Sequence, residues 1–226
     1  MLIVAIMVAA PLGVVVGWRL VVSDRASIWP VLSVVAGGAG LAALATGQVP
    51  LSARVRWPAA AAVGVGAGAA FYLATAAFVL IVRRWPAFDR HVAELYDQRR
   101  GLGLWPALAL ASGASAPGEE LFWRGLFEWR LARAVGWPGA TAATWGAYVL
   151  VNLASQNLPI IAGAIVGGAV WGGLALWTRG VVASLACHIV WTGLMLARPP
   201  GGAVARDRAV ADRVRSGEAG SESAGP

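Results

Sequence analysis

The strongest constraint on this chain is a succession of apolar runs close to twenty residues long, among them residues 1–18, 58–82 and 158–178. A helix rising about 1.5 Å per residue needs roughly that length to cross ~30 Å of hydrocarbon. In lipid each backbone amide must find its partner within the segment, and these runs lack the alternating pattern of an outer-membrane barrel. The expected class is therefore all-α: a polytopic transmembrane helical bundle of about seven to eight membrane helices. With 58% hydrophobic and 13% charged residues, the composition fits a membrane-embedded chain. The formal charge of +7 does not indicate a nucleic-acid partner, because the basic residues flank the apolar runs instead of covering one face of a polar domain. Every strong cation is Arg, which with the excess of Ala, Gly and Val suggests a GC-rich bacterial genome. A single cysteine, Cys187, lies inside an apolar run, where it reads as a small packing residue and permits no intrachain disulfide. The first residues, Met1-Leu-Ile-Val-Ala-Ile-Met, lack a basic stretch and read as the first span, not as a cleaved signal.

Five Trp-Pro dipeptides punctuate the chain, at Trp29-Pro30, Trp57-Pro58, Trp85-Pro86, Trp105-Pro106 and Trp137-Pro138. Trp favours the headgroup level and Pro is tolerated in the first turn of a helix, so each pair predicts a helix start near the interface. Spans are then expected near 1–18, 30–47, 58–82, 104–116, 118–135, 139–156, 158–178 and 181–197. The charged segment from Arg83 to Arg100 reads as an interfacial helix or loop, with His91 a solvated surface histidine. From Pro199 the chain turns polar and reads as a disordered tail. Three regions result: residues 1–100, amino-terminal membrane helices plus the interfacial segment; 101–197, a helical core; and 198–226, the tail. Eight spans leave the orientation in conflict, because an Arg-rich tail and a basic 83–100 segment would then face opposite sides. No internal repeat is evident, which counts against an inverted-repeat transporter.

Polar chemistry is concentrated in three places. Gly118-Glu119-Glu120-Leu121-Phe122-Trp123-Arg124-Gly125 sets two carboxyls and a guanidinium in an apolar helix. Each costs at least ~2.5–3.5 kcal/mol at the bilayer centre unless it has a partner or a wet cavity. Glu120 and Arg124 stand at i and i+4 and can pair, whereas Glu119, rotated by about 100°, faces something else. A purely structural alternative is a Glu120–Arg124 bridge extended to Glu128, with Glu119 capping the helix start. His188 and Thr192 share one face of a later helix, and Asn152 closes the apolar run Tyr148-Val-Leu-Val-Asn152, where it either serves a site or bonds across helices. Polar groups on three apolar helices suggest one interior site, in which Glu119 acts as general base on a water while His188 and Thr192 donate to a developing oxyanion. A metal centre is disfavoured, since the apolar helices offer one histidine, two adjacent glutamates and no H-E-x-x-H pair. No cofactor is expected.

The order of these clusters resembles the CPBP family (CAAX-protease and bacteriocin-processing enzymes, also called Abi), which are glutamate-type intramembrane proteases. Its pattern is E-E-x-x-x-R, then F-x-x-x-H, then H-x-x-x-N or a similar polar residue on successive helices. Glu119, Glu120 and Arg124 meet the first motif in full, and the following Gly125 is typical. His188 meets the third, with Thr192 where Asn is common, and Trp177-Thr-Arg-Gly-Val-Val-Ala-Ser resembles the usual lead-in. The similarity covers about residues 100–197. The second motif departs, with Tyr148 for Phe and Asn152 for His. The resemblance implies that Glu119 is the base and that His188 stabilises the oxyanion. In the family a histidine at position 152 would help position and activate the water. Asn152 can hold a water but cannot take its proton, so Glu119 is either the sole base or hydrolysis has been lost.

The sequence thus predicts a metal-independent intramembrane endopeptidase acting on a peptide or membrane-protein substrate, multi-pass in a cell membrane, with a bacterial inner membrane expected. Its rivals are a non-hydrolysing pseudoprotease or scaffold and, third, a small-solute transporter.

Overall fold

The computed structural model describes residues 1–97 and 102–200. Among these residues the chain forms helices and turns with no strand, as the apolar runs require. Helices α1 (Leu2–Val22), α2 (Ile28–Ala45) and α3 (Trp57–Val82) are each long and apolar enough to cross a membrane. Helix α4 (Pro86–Asp97) is short and amphipathic, with Phe88 buried. Helix α5 begins as Leu104–Leu110 and continues through Ala116–Glu120, which is flanked by two wide π turns, Ala111–Ser115 and Leu121–Phe127. It runs on into Glu128–Asn152, which breaks at Gly136 (φ 74°, ψ 167°), and the part after the break, residues 137–152, is α6. A short 3-10 turn, Leu153–Ser155, leads to α7 (Leu158–Thr178), again long enough to span, and the shorter apolar α8 (Val182–Ala197). The region expected to be a disordered tail lies, from residue 201 on, outside the described residues.

All five Trp-Pro pairs sit at helix starts, the last one immediately after the Gly136 break. The expected spans 104–116 and 118–135 are instead one helix. Pro117 carries no amide hydrogen and its ring crowds the carbonyl four residues back, which would normally end a helix. The π turn just before it widens the backbone and lets the helix pass through. Gly136 occupies a backbone region that a side chain would disfavour, and the chain reverses there. Residues 119 and 148 meet across the break, as do 128 and 141, which is the pairing of an antiparallel hairpin.

Merging two spans leaves seven apolar helices beside α4, and this removes the conflict over the charged segments. Tyr96 on α4 donates to Met195 O at 3.0 Å, and Tyr72 donates to Arg198 O at 2.7 Å, so the 83–97 segment and the end of α8 lie at one end of the bundle. At the other end, the Gly136 end, loop residues Ala53 and Arg54 donate to Thr178 O at 3.2 and 3.0 Å. His91 is also corrected. It is half-buried; its Nδ1 accepts from Leu158 N (3.1 Å) and its carbonyl accepts from Asn157 Nδ2 (3.1 Å), so it ties α4 to the start of α7.

Two close helix crossings position the interior. Without a hydrophobic drive between helices in lipid, small residues let backbones approach and gain dispersion contact. A Cβ on Gly40 would stand 2.5 Å from Gly118 Cα, and one on Gly118 would strike Ala36 O, so α2 holds α5 beside the glutamate pair. A Cβ on Gly64 would strike Ala183 O and one on Gly68 would come within 2.6 Å of Cys187 O, so α3 fixes the turn of α8 that carries His188.

Candidate active site

The two adjacent glutamates part company within one peptide unit. Glu120 is fully buried, with 0% of its surface exposed, and Arg124 is 1% exposed. Their i, i+4 spacing closes an ion pair of 3.0 Å from Arg124 Nη1 to Glu120 Oε1. Arg124 Nη2 donates to Gly168 O on α7 at 3.2 Å, and the guanidinium lies 4.8 Å from the Tyr148 ring centroid and 5.5 Å from that of Trp171. The same Glu120 Oε1 faces His188 Nδ1 at 3.0 Å, and the imidazole stacks on Trp171 with centroids 3.6 Å apart and planes at 16°. Three helices therefore meet in one buried network, α5 through Glu120 and Arg124, α7 through Trp171 and Gly168, and α8 through His188. Each charge has a partner of opposite sign or a ring face, which is what makes burial of such groups tolerable.

Glu119 faces away from this network, as its rotation on the helix requires. It is half-buried, and its Oε2 accepts a hydrogen bond from the Tyr148 hydroxyl at 2.5 Å. It lines an apolar cavity of about 630 Å³ together with Asn152, His188 and Thr192, while residues such as Phe71, Phe78, Leu95 and Trp191 supply the rest of the wall. Four of the six residues singled out in the sequence thus share one cavity. Glu120 and Arg124 do not line it and lie behind it.

Asn152 reaches the cavity with much of its hydrogen-bonding capacity already committed. Its Oδ1 accepts from Trp18 Nε1 on α1 at 3.2 Å, and its Nδ2 donates to Tyr148 O at 2.9 Å. One amide hydrogen and one lone pair remain available. Because His188 turns Nδ1 toward a carboxylate, Nε2 is the nitrogen left for other work. No group of three or more His, Cys, Asp and Glu side chains stands at metal-binding spacing among the described residues.

Sequence reasoning missed Trp171, Trp18 and the hydroxyl of Tyr148. The tryptophans carry no local signal, since twelve are scattered along the chain. Tyr148 did carry one, a phenol one turn before Asn152 in an otherwise apolar run.

No curated protein and no solved structure matches the chain. Residues 101–194, which contain all six candidate positions, match the family model described as type II CAAX prenyl endopeptidase Rce1-like, and in this segment the protein is similar to that protease family, as the first and third motifs led us to expect.

Proposed function

We propose that the protein is an intramembrane endopeptidase in which Glu119 activates the attacking water without a metal. The observation that carries this reading is the shared cavity: Glu119, Asn152, His188 and Thr192 face one space among apolar helices, while Glu120 is withdrawn into a pair with Arg124. A water held between Glu119 and the free amide hydrogen of Asn152 loses a proton to Glu119 as it attacks the scissile carbonyl. The oxyanion that forms is met by the His188 ring, whose Nδ1 faces Glu120 Oε1 at 3.0 Å, and by the Thr192 hydroxyl. Glu119 then returns its proton to the leaving amine, so no net charge accumulates. The donor set supports water activation by carboxylate, because one of the two glutamates is already held by Arg124.

The substrate class is a peptide or membrane protein whose apolar part occupies the cavity. The prenylated CAAX chemistry named for the matching family supplies the first probe. Reconstituted in liposomes with a fluorogenic prenylated CAAX peptide, the wild-type protein is expected to cleave and Glu119→Gln to abolish cleavage. Cleavage that survives Glu119→Gln unchanged removes Glu119 from the mechanism.

One observation favours a second reading, a membrane scaffold that binds but does not hydrolyse: Asn152 stands where a histidine is expected and is already bonded to Trp18 and Tyr148 O. That reading predicts that bulky substitutions in the cavity wall abolish function while Glu119→Gln does not.

A further inference from the structure

Positioning a general base requires that its carboxylate be held, and position 152 does not hold Glu119 here. Both of the hydrogen bonds that the Asn152 side chain makes serve the scaffold. The group that does touch Glu119 is the Tyr148 hydroxyl, donating to Oε2 at 2.5 Å. Its ring is fixed on several sides. Trp123 meets it edge-on at 5.6 Å between centroids, the Arg124 guanidinium lies over it at 4.8 Å, and a Cβ on Gly168 would come within 3.2 Å of Tyr148 Cδ1. A phenol has two side-chain torsions, and packing of this kind leaves neither free, so its hydroxyl is delivered to one point.

We propose that Tyr148 is the positioning residue of Glu119: its phenol ties Oε2 and leaves Oε1 to face the water. It thereby takes over the orienting part of the task that a histidine at position 152 would perform, and explains how the site tolerates Asn152. Proton transfer stays with Glu119, because a phenol donating to a carboxylate supplies direction and not a base. The inference rests on the reading of Glu119 as the base, and the experiment separates failure of the two.

The test uses the protein in liposomes and three variants: Tyr148→Phe, Tyr148→Phe with Asn152→His, and Glu119→Gln. In Tyr148→Phe, kcat on the fluorogenic prenylated CAAX peptide falls about ten- to a hundredfold, the effect expected of one hydrogen bond to a charged group, with KM within about twofold. Adding Asn152→His to Tyr148→Phe rebuilds F-x-x-x-H and recovers most of the lost kcat. Infrared difference spectra, which need no turnover, assign the Glu119 carboxylate stretch by its loss in Glu119→Gln. That band shifts in Tyr148→Phe. An unshifted band, or an unchanged kcat in Tyr148→Phe while Glu119→Gln is inactive, overturns the role of Tyr148 and leaves the base intact. A shifted band with cleavage surviving Glu119→Gln overturns the base and, with it, the catalytic meaning of the pair. A uniform loss of thermal stability in Tyr148→Phe without a band shift assigns the phenol to packing alone and also overturns the proposal.

Discussion

The α5–α6 hairpin contains the same chemical pair twice. At the cavity wall, the Tyr148 hydroxyl donates to Glu119 at 2.5 Å; nearer the Gly136 break, the Thr141 hydroxyl donates to Glu128 at 2.6 Å. Both are carboxylates of α5 receiving a hydroxyl of α6, and both lie close to Arg124 along the helix. They differ in access. Glu119 is half-buried and lines the 630 Å³ cavity, whereas Glu128 is 0% exposed and lines neither that cavity nor the smaller one beside Trp18. An ionisable residue inside a membrane bundle is a functional candidate by default, but the contrast shows that burial and a partner are not sufficient. What sets Glu119 apart is the cavity it lines.

The sharpest test of the comparison is Glu119→Gln against Glu128→Gln in one cleavage assay. Glu119→Gln is expected to lower kcat by about 10²–10⁴-fold, the range of a lost general base, with thermal unfolding in detergent nearly unchanged. Arg124→Met acts on the network behind the site and strands Glu120 opposite His188. It should destabilise the protein by roughly 3–5 kcal/mol, read as a drop in Tm or in resistance to denaturing detergent. Gly68→Ala pushes α3 off Cys187 and displaces the turn carrying His188. The expected cost is about 1–3 kcal/mol, accompanied by loss of cleavage, while the distant Glu128–Thr141 pair is untouched. Glu128→Gln still accepts from Thr141, so a change of about 1 kcal/mol or less and kcat within about twofold are expected. If its kcat falls as far as that of Glu119→Gln, the distinction between the two pairs collapses.

Much of this was legible beforehand, for identifiable reasons. Residues that obey local rules announced themselves: Trp-Pro pairs mark helix starts, and the i, i+4 spacing of Glu120 and Arg124 made their ion pair readable and left Glu119 to another face. Contacts made over long sequence separations did not. Asn152 meets Trp18 across 134 positions, and His188 meets Glu120 across 68, and neither distance leaves a periodic trace. The span boundary expected at residue 117 proved wrong in the opposite direction. Pro117 would ordinarily interrupt a helix, and a wide turn just upstream absorbs the conflict. His91 looked like a solvated residue because its segment is polar, yet the loop it meets is sixty-seven positions away in the chain.

Those wide turns have a genetic consequence. A π turn holds one more residue than the α turn it replaces, so α5 carries a surplus residue on each side of Ala116–Glu120. Removing one residue from Ala111–Ser115 would let the backbone relax to ordinary α geometry and turn the helix before the glutamates by about 100° relative to the part after them. A deletion there changes no functional group and still re-aims all of them. The reading frame of the helix is itself part of the site, and in this stretch single-codon deletions should be harsher than most substitutions.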